Sequence, residues 1–157
     1  MQADGCNIMK HKKAILITAI SAVAVLIASY MVWDLTCPDF DVYQSNWGVT
    51  LPKSLNFNKK YEVSDFGWMG DGFGYGIYLL KDKNSAFLSG MSPQKNADVQ
   101  DNVLCIVKDL RAAKKKYPDF SHSYEWKIIT DPADDRNKLY IVYDKDTSLL
   151  YLTQKLF

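Results

Sequence analysis

Histidine is nearly absent from this 157-residue chain: there are two, His11 and His122, and no H-x-x-x-H pair. Cysteine is almost as scarce, with Cys6, Cys37 and Cys105 and no C-x-x-C. A zinc site therefore lacks its usual spacing signature, and three thiols are too few for a disulfide scaffold. Neither charge is in excess, with 19 Lys and Arg against 18 Asp and Glu. That balance excludes a strongly basic nucleic-acid binder and an acidic solvating tail. Eight glycines and five prolines exclude collagen-like and proline-rich low complexity. What remains is a globular composition, 48% hydrophobic and 24% charged, at about the length of one domain.

One long uncharged run is present. Residues 14–33 read AILITAISAVAVLIASYMVW. As a helix rising 1.5 Å per residue it would span about 30 Å, the thickness of a bilayer core. Its hydroxyls, on Thr18, Ser21 and Ser29, can bond back to the helix backbone. Lys10, His11, Lys12 and Lys13 precede it, and Asp34, Asp39 and Asp41 follow. The positive-inside rule then places the N-terminus in the cytoplasm and the rest outside. Tyr30 and Trp33 fall where an outer aromatic belt would lie.

Other readings of the run fit less well. A core helix of a soluble protein rarely has this length and lysine flank. A cleavable signal peptide has a shorter apolar region and a small-x-small site, which is not clear near Ala28 or Ser29. A lipoprotein needs small residues before its cysteine, but Asp34, Leu35 and Thr36 precede Cys37. The expected organisation is a cytoplasmic segment 1–13, a transmembrane helix 14–33, a linker 34–45 and an extracytoplasmic domain 46–157. No second long apolar run follows, so the expectation is a single span.

The rest of the chain predicts an α+β domain. Lys60–Asp65 and Phe73–Leu80 read as strands, with Ala86–Ser89 as a short hairpin partner. Asp98–Tyr117 reads as one amphipathic helix, with Val99, Val103, Ile106, Val107 and Leu110 on one face. Asn96 or Asp98 can cap its start, and Pro118 forbids its continuation. Tyr124–Thr130, Leu139–Tyr143 and Leu149–Gln154 are three more strands. The expected architecture is an antiparallel sheet of five to six strands covered by that one helix. Asp82-Lys83-Asn84-Ser85 and Asp144-Lys145-Asp146-Thr147 each follow an apolar strand and read as hairpin turns.

The most unusual stretch is Gly67–Gly76, GWMGDGFGYG. It is no dinucleotide fingerprint, because its glycines alternate and a strand follows. In an extended chain Gly70, Gly72, Gly74 and Gly76 share one face, and Asp71, Phe73, Tyr75 and Ile77 the other. A face without side chains invites close approach by a ring, a helix or a ligand. Trp68, Asp71, Phe73 and Tyr75 are the candidate binding surface. The competing reading is a bulged or twisted strand in an aromatic-rich core.

Other constellations carry less. Asp144-x-Asp146 resembles the nucleophile motif of haloacid-dehalogenase-like phosphatases, but too little chain follows for their parallel fold. Asp131, Asp134, Asp135 and Asn137 lack the central glycine and distal glutamate of a calcium loop. His122 lies between Ser121 and Ser123, and adjacency is no evidence of a catalytic pair. No catalytic residue, cofactor or metal ligand is assigned, and the chain reads as a non-enzyme. Cys37 and Cys105 would both lie outside and are a candidate disulfide; the alternative is a buried free thiol at Cys105.

The lysine-flanked span followed by a small domain, with Gly70-Asp71-Gly72 entering a strand, resembles short single-pass membrane-anchored bacterial proteins of uncharacterised function. The resemblance covers layout and one tripeptide, and brings no catalytic residues. The functional expectation is a module that binds an envelope protein, peptide or glycan, and no nucleic acid. The alternatives are a membrane-held immunity or inhibitor protein and an envelope hydrolase.

Overall fold

The computed structural model describes residues 18–29, 40–52, 55, 58–83 and 86–157. It comprises two compact units, Met1–Asp39 and Phe40–Phe157. In the first, residues 18–29 form a helix (α1) whose side chains, Ile20, Val25 and Leu26 among them, are exposed. No helix among the described residues is long and apolar enough to cross a membrane. Residues 14–17 and 30–33 of the expected span lie outside the described residues, as do Cys6, Cys37 and residues 34–39.

The second unit is an α+β domain on one five-stranded antiparallel sheet. Its strands are β1 (Lys59–Phe66), β2 (Gly72–Leu79), β3 (Tyr124–Thr130), β4 (Lys138–Asp144) and β5 (Leu149–Leu156), in the spatial order β1-β2-β5-β4-β3. The C-terminal strand therefore sits in the middle, paired with β2 on one side and β4 on the other.

Alternation along the central strands divides their side chains between two layers. Tyr75 and Ile77 of β2, Tyr140 and Val142 of β4 and Tyr151 of β5 pack with helix α3 (Ala97–Asp109). That helix buries Val99, Val103, Ile106 and Val107, the expected face. The Asn96 side chain caps it, accepting from the Val99 N–H at 3.1 Å. It stops well short of Tyr117. Arg111 adopts a left-handed φ of 53°, its N–H bonds the Lys108 carbonyl, and the Ala112 N–H bonds Val107. This is a Schellman ending with Arg111 where glycine is usual, so nothing in the local sequence announces it.

The opposite face is also covered, which corrects the expectation of one helix on one side. Helix α2 (Phe40–Trp47) places Tyr43 and Trp47 in a second core with Val49, Leu51 and Leu55. Tyr78, Leu139, Ile141, Leu150 and Leu152 meet them from the sheet. Part of the segment read as a linker is thus helix, and the compact unit begins at Phe40 rather than near Asn46. Ala86–Leu88 is a short 3-10 turn packed on this core, not a hairpin strand. The 144–147 turn does join two paired strands, β4 and β5. Asn84 and Ser85 of the other proposed turn lie outside the described residues.

Candidate functional site

Residues 67–71 connect β1 to β2 in a tight, internally bonded turn. The Gly67 N–H donates to the Asp71 carbonyl at 2.6 Å, and the Gly70 N–H to the Gly67 carbonyl at 3.0 Å. Gly70 has a φ of +83° and Gly72 of +137°, which side-chain-bearing residues rarely adopt. The Asp71 carboxylate folds back over Gly67, where an added Cβ would lie 2.7 Å from its Oδ1. The turn is therefore closed by its own backbone and by Asp71. What it presents outward is Trp68, 102% exposed, and Met69, 89% exposed. Met69 also borders a cleft of about 520 Å³ shared with Asn46, Asp131 and Phe157.

The four residues of the candidate surface separate. Trp68 and Asp71 are exposed on the turn, Phe73 is half-buried towards α3, and Tyr75 is in the core at 1% exposure. The Tyr75 hydroxyl donates to the Lys116 carbonyl at 2.6 Å. Its ring stacks with Tyr151 at 6.3 Å and meets Tyr61 edge-on at 6.2 Å. Burial, with Tyr151 beside it, drives the Tyr75 phenol far above its ordinary pKa, so it stays neutral. Tyr75 is therefore a structural residue, which corrects its assignment to the surface.

The glycine face is likewise filled from within. An added Cβ on Gly74 would lie 2.7 Å from the Gln154 amide nitrogen, and one on Gly76 2.6 Å from the Tyr78 ring. Gln154 in turn accepts from the Trp47 indole N–H at 3.1 Å. The stripe makes room for the chain's own side chains. Cys105 is a free, exposed thiol on α3, rather than a buried one. Its proposed partner Cys37 lies outside the described residues.

A second cluster was not visible as a motif. The β4–β5 turn and the loop before β3 bring His122 against Asp144, with Nδ1 2.8 Å from Oδ2. Its other ring nitrogen faces Asp119 Oδ2 at 3.5 Å. The Asp144 side chain is only 4% exposed. Its second oxygen accepts from the backbone N–H groups of Asp146 and Thr147, at 2.9 and 3.1 Å. Asp146 accepts from the Ser123 N–H at 3.1 Å and completes a His/Asp/Asp set able to ligate a metal. No serine hydroxyl is bonded to the imidazole among the described residues; the Ser121 hydroxyl donates to Asp119 instead.

The charges of this cluster are coupled. The hydrogen bond to Asp144 raises the His122 pKa against the opposing effect of desolvation. Burial pushes the Asp144 carboxyl up, but bonds from His122, Thr147 and Asp146 outweigh it and hold it below the ordinary carboxylate range. Burial, then the charge of Asp144, lifts the Tyr151 phenol to about 12. A histidine raised on folding stabilises fully below its unfolded pKa of about 6.5, and that contribution disappears as pH rises through the folded value. With a chelator present, thermal stability should fall as the pH rises above about 6.5 for this reason. His122→Gln should flatten that limb; an unchanged pH profile would show that the pair contributes nothing. Lowering the pH through the Asp144 range should destabilise again, since that carboxyl is depressed.

No family model matches the chain, nor does any curated protein or solved structure.

Proposed function

We propose that the chain is a single-pass membrane protein with a cytoplasmic N-terminus and an extracytoplasmic α+β domain. The domain binds a protein partner of the envelope through the β1–β2 turn and is not an enzyme. The uncharged run 14–33 and its lysine flank support the anchor. The observation that carries the binding role is the pair Trp68 and Met69, almost fully exposed on a turn fixed by its own hydrogen bonds. Neither side chain contributes core packing where it stands. Exposed tryptophan on a rigid support is a typical interface anchor, losing little entropy on docking, and methionine adapts to irregular surfaces. The central strands β2, β4 and β5 are buried on both faces, and Trp68 and Met69 of the turn are the most exposed large apolar side chains of the domain's described residues.

The test is site-specific photo-crosslinking in intact cells, with the reactive amino acid at position 69 or, as a control, at exposed Lys108 on α3. A discrete adduct from position 69 that disappears in Trp68→Ala supports the role. Adducts equal to those of the control position, or none, refute it. Protease shaving of the same cells, with tags at both ends, tests the anchor separately. The double variant Trp68→Ala/Met69→Ala should leave stability within about 0.5 kcal/mol, as exposed positions usually do. It should weaken capture of the crosslinked partner by at least about tenfold.

A further inference from the structure

The geometry points to a binding site for one divalent transition cation at His122, Asp144 and Asp146. Each side chain offers one ligand atom, and these atoms lie within 4.8 Å of one another. Ligands about 2.1 Å from a shared ion stand roughly 3.0–3.4 Å apart. His122 Nδ1 and Asp144 Oδ2 are already at 2.8 Å, and Asp146 is exposed, with its Oδ2 held at the cluster by the Ser123 N–H at 3.1 Å. One imidazole nitrogen with two carboxylates is a donor set for zinc or manganese rather than for a soft cuprous ion.

Two features beyond proximity favour a cation. Asp144 is a nearly buried carboxylate, and among the described residues no lysine or arginine forms an ion pair with it or with Asp146. Asp144 Oδ2 meets His122 Nδ1 directly, at the position where an ion would bridge the two groups. The far side of the imidazole is also prepared. Asp119 stands behind Nε2 at 3.5 Å and is fixed by the Ser121 N–H at 2.9 Å and hydroxyl at 2.6 Å. A carboxylate on the non-ligating nitrogen orients a metal-bound histidine and raises its basicity. Binding through Nδ1 leaves the ring proton on Nε2, facing Asp119. An ion at Nδ1 competes with protons for that nitrogen, so affinity should rise with pH.

The site is assembled from the loop before β3 and the β4–β5 turn, so an ion would tie these two segments together. The experiment titrates zinc sulfate into the detergent-solubilised full chain carrying Cys6→Ser, Cys37→Ser and Cys105→Ser, which removes thiolate competition. Calorimetry should show one zinc per chain, and thermal unfolding should move upward with zinc concentration. Asp146→Asn removes an exposed ligand without disturbing the core and should abolish saturable binding. Asp119→Asn leaves all three ligands and should weaken zinc by about 10–100-fold. Binding that survives Asp146→Asn and His122→Gln together, or no saturable binding in the parent chain, overturns the assignment. An Asp119→Asn chain with unchanged affinity would remove Asp119 from the site.

Discussion

Trp47→Ala should destabilise the domain by about 3–5 kcal/mol, the range for deleting a buried large aromatic. Trp47 ends α2 and is packed with Tyr43, Leu51 and Leu55 on the face of the sheet away from α3. Its indole N–H is bonded to Gln154, a buried residue of the central strand β5. Truncation thus opens a cavity and also leaves the Gln154 carbonyl oxygen without this donor. Trp47→Phe separates the two effects, retaining most of the volume while removing the bond. It should cost about 1–3 kcal/mol, the usual penalty for orphaning a buried polar group. Urea unfolding of the domain is the measurement, with a midpoint shift on the order of 2 M for Trp47→Ala. A loss below about 1 kcal/mol would mean that α2 is a loosely attached segment and that the sheet keeps one open face.

The same contact explains what could and could not be read from the chain. The helix α3 and strands β1 to β5 announce themselves through local periodicity, as in Val99, Val103, Ile106 and Val107 or Phe73, Tyr75 and Ile77. Helix α2 does not. FDVYQSNW sets Phe40, Tyr43 and Trp47 at helical spacing, but over only about two turns, too short a window for the period to stand out, and its hold on the domain includes a bond to a partner 107 positions away. The end of α3 is silent in the sequence because Arg111 occupies a left-handed position that composition associates with glycine. Alternation put Phe73 and Tyr75 on one side of β2, but only the packing of α3 shows that this side is closed. The His122–Asp144 pair bridges 22 positions with no motif, so its sole signal was the turn chemistry of Asp144-Lys145-Asp146-Thr147.

These findings move the candidate surface from a sheet face to a turn. A tryptophan at full exposure gains nothing from the fold, and hydrophobic burial would favour turning it inward. The turn prevents this, since its closure by Gly67, Gly70 and Asp71 fixes the backbone beneath Trp68 and Met69. The glycines of the stretch therefore have two separate duties. Gly74 and Gly76 admit Gln154 and Tyr78 to the core, while Gly70 and Gly72 shape the turn.

Gly72→Ala tests the second duty and should be among the most damaging single substitutions in the domain. Its φ of +137° lies where an L side chain is strained. An added Cβ would also collide with the Asp65 carbonyl oxygen and come within 2.9 Å of the Phe66 Cα. Both are backbone atoms of β1, so relief requires breaking the Phe66–Gly72 end of the hairpin pairing. Strain alone costs about 1–3 kcal/mol, and the lost ladder adds to it. A fall in Tm of roughly 10 °C or more is expected. Gly70→Ala is the comparison: its φ of +83° is also unfavourable, but no atom lies within 4 Å of the added Cβ. It should cost only about 1–2 kcal/mol. Because the Gly72 change dislodges the base of the turn, it should also abolish the crosslink from position 69. The milder Gly70 change should reduce that crosslink while the fold persists. Equal melting temperatures for the two variants would show that the approach of β1 to Gly72 is not a constraint. A crosslink unaffected by either would show that the fixed shape of the turn is irrelevant to what Trp68 and Met69 bind.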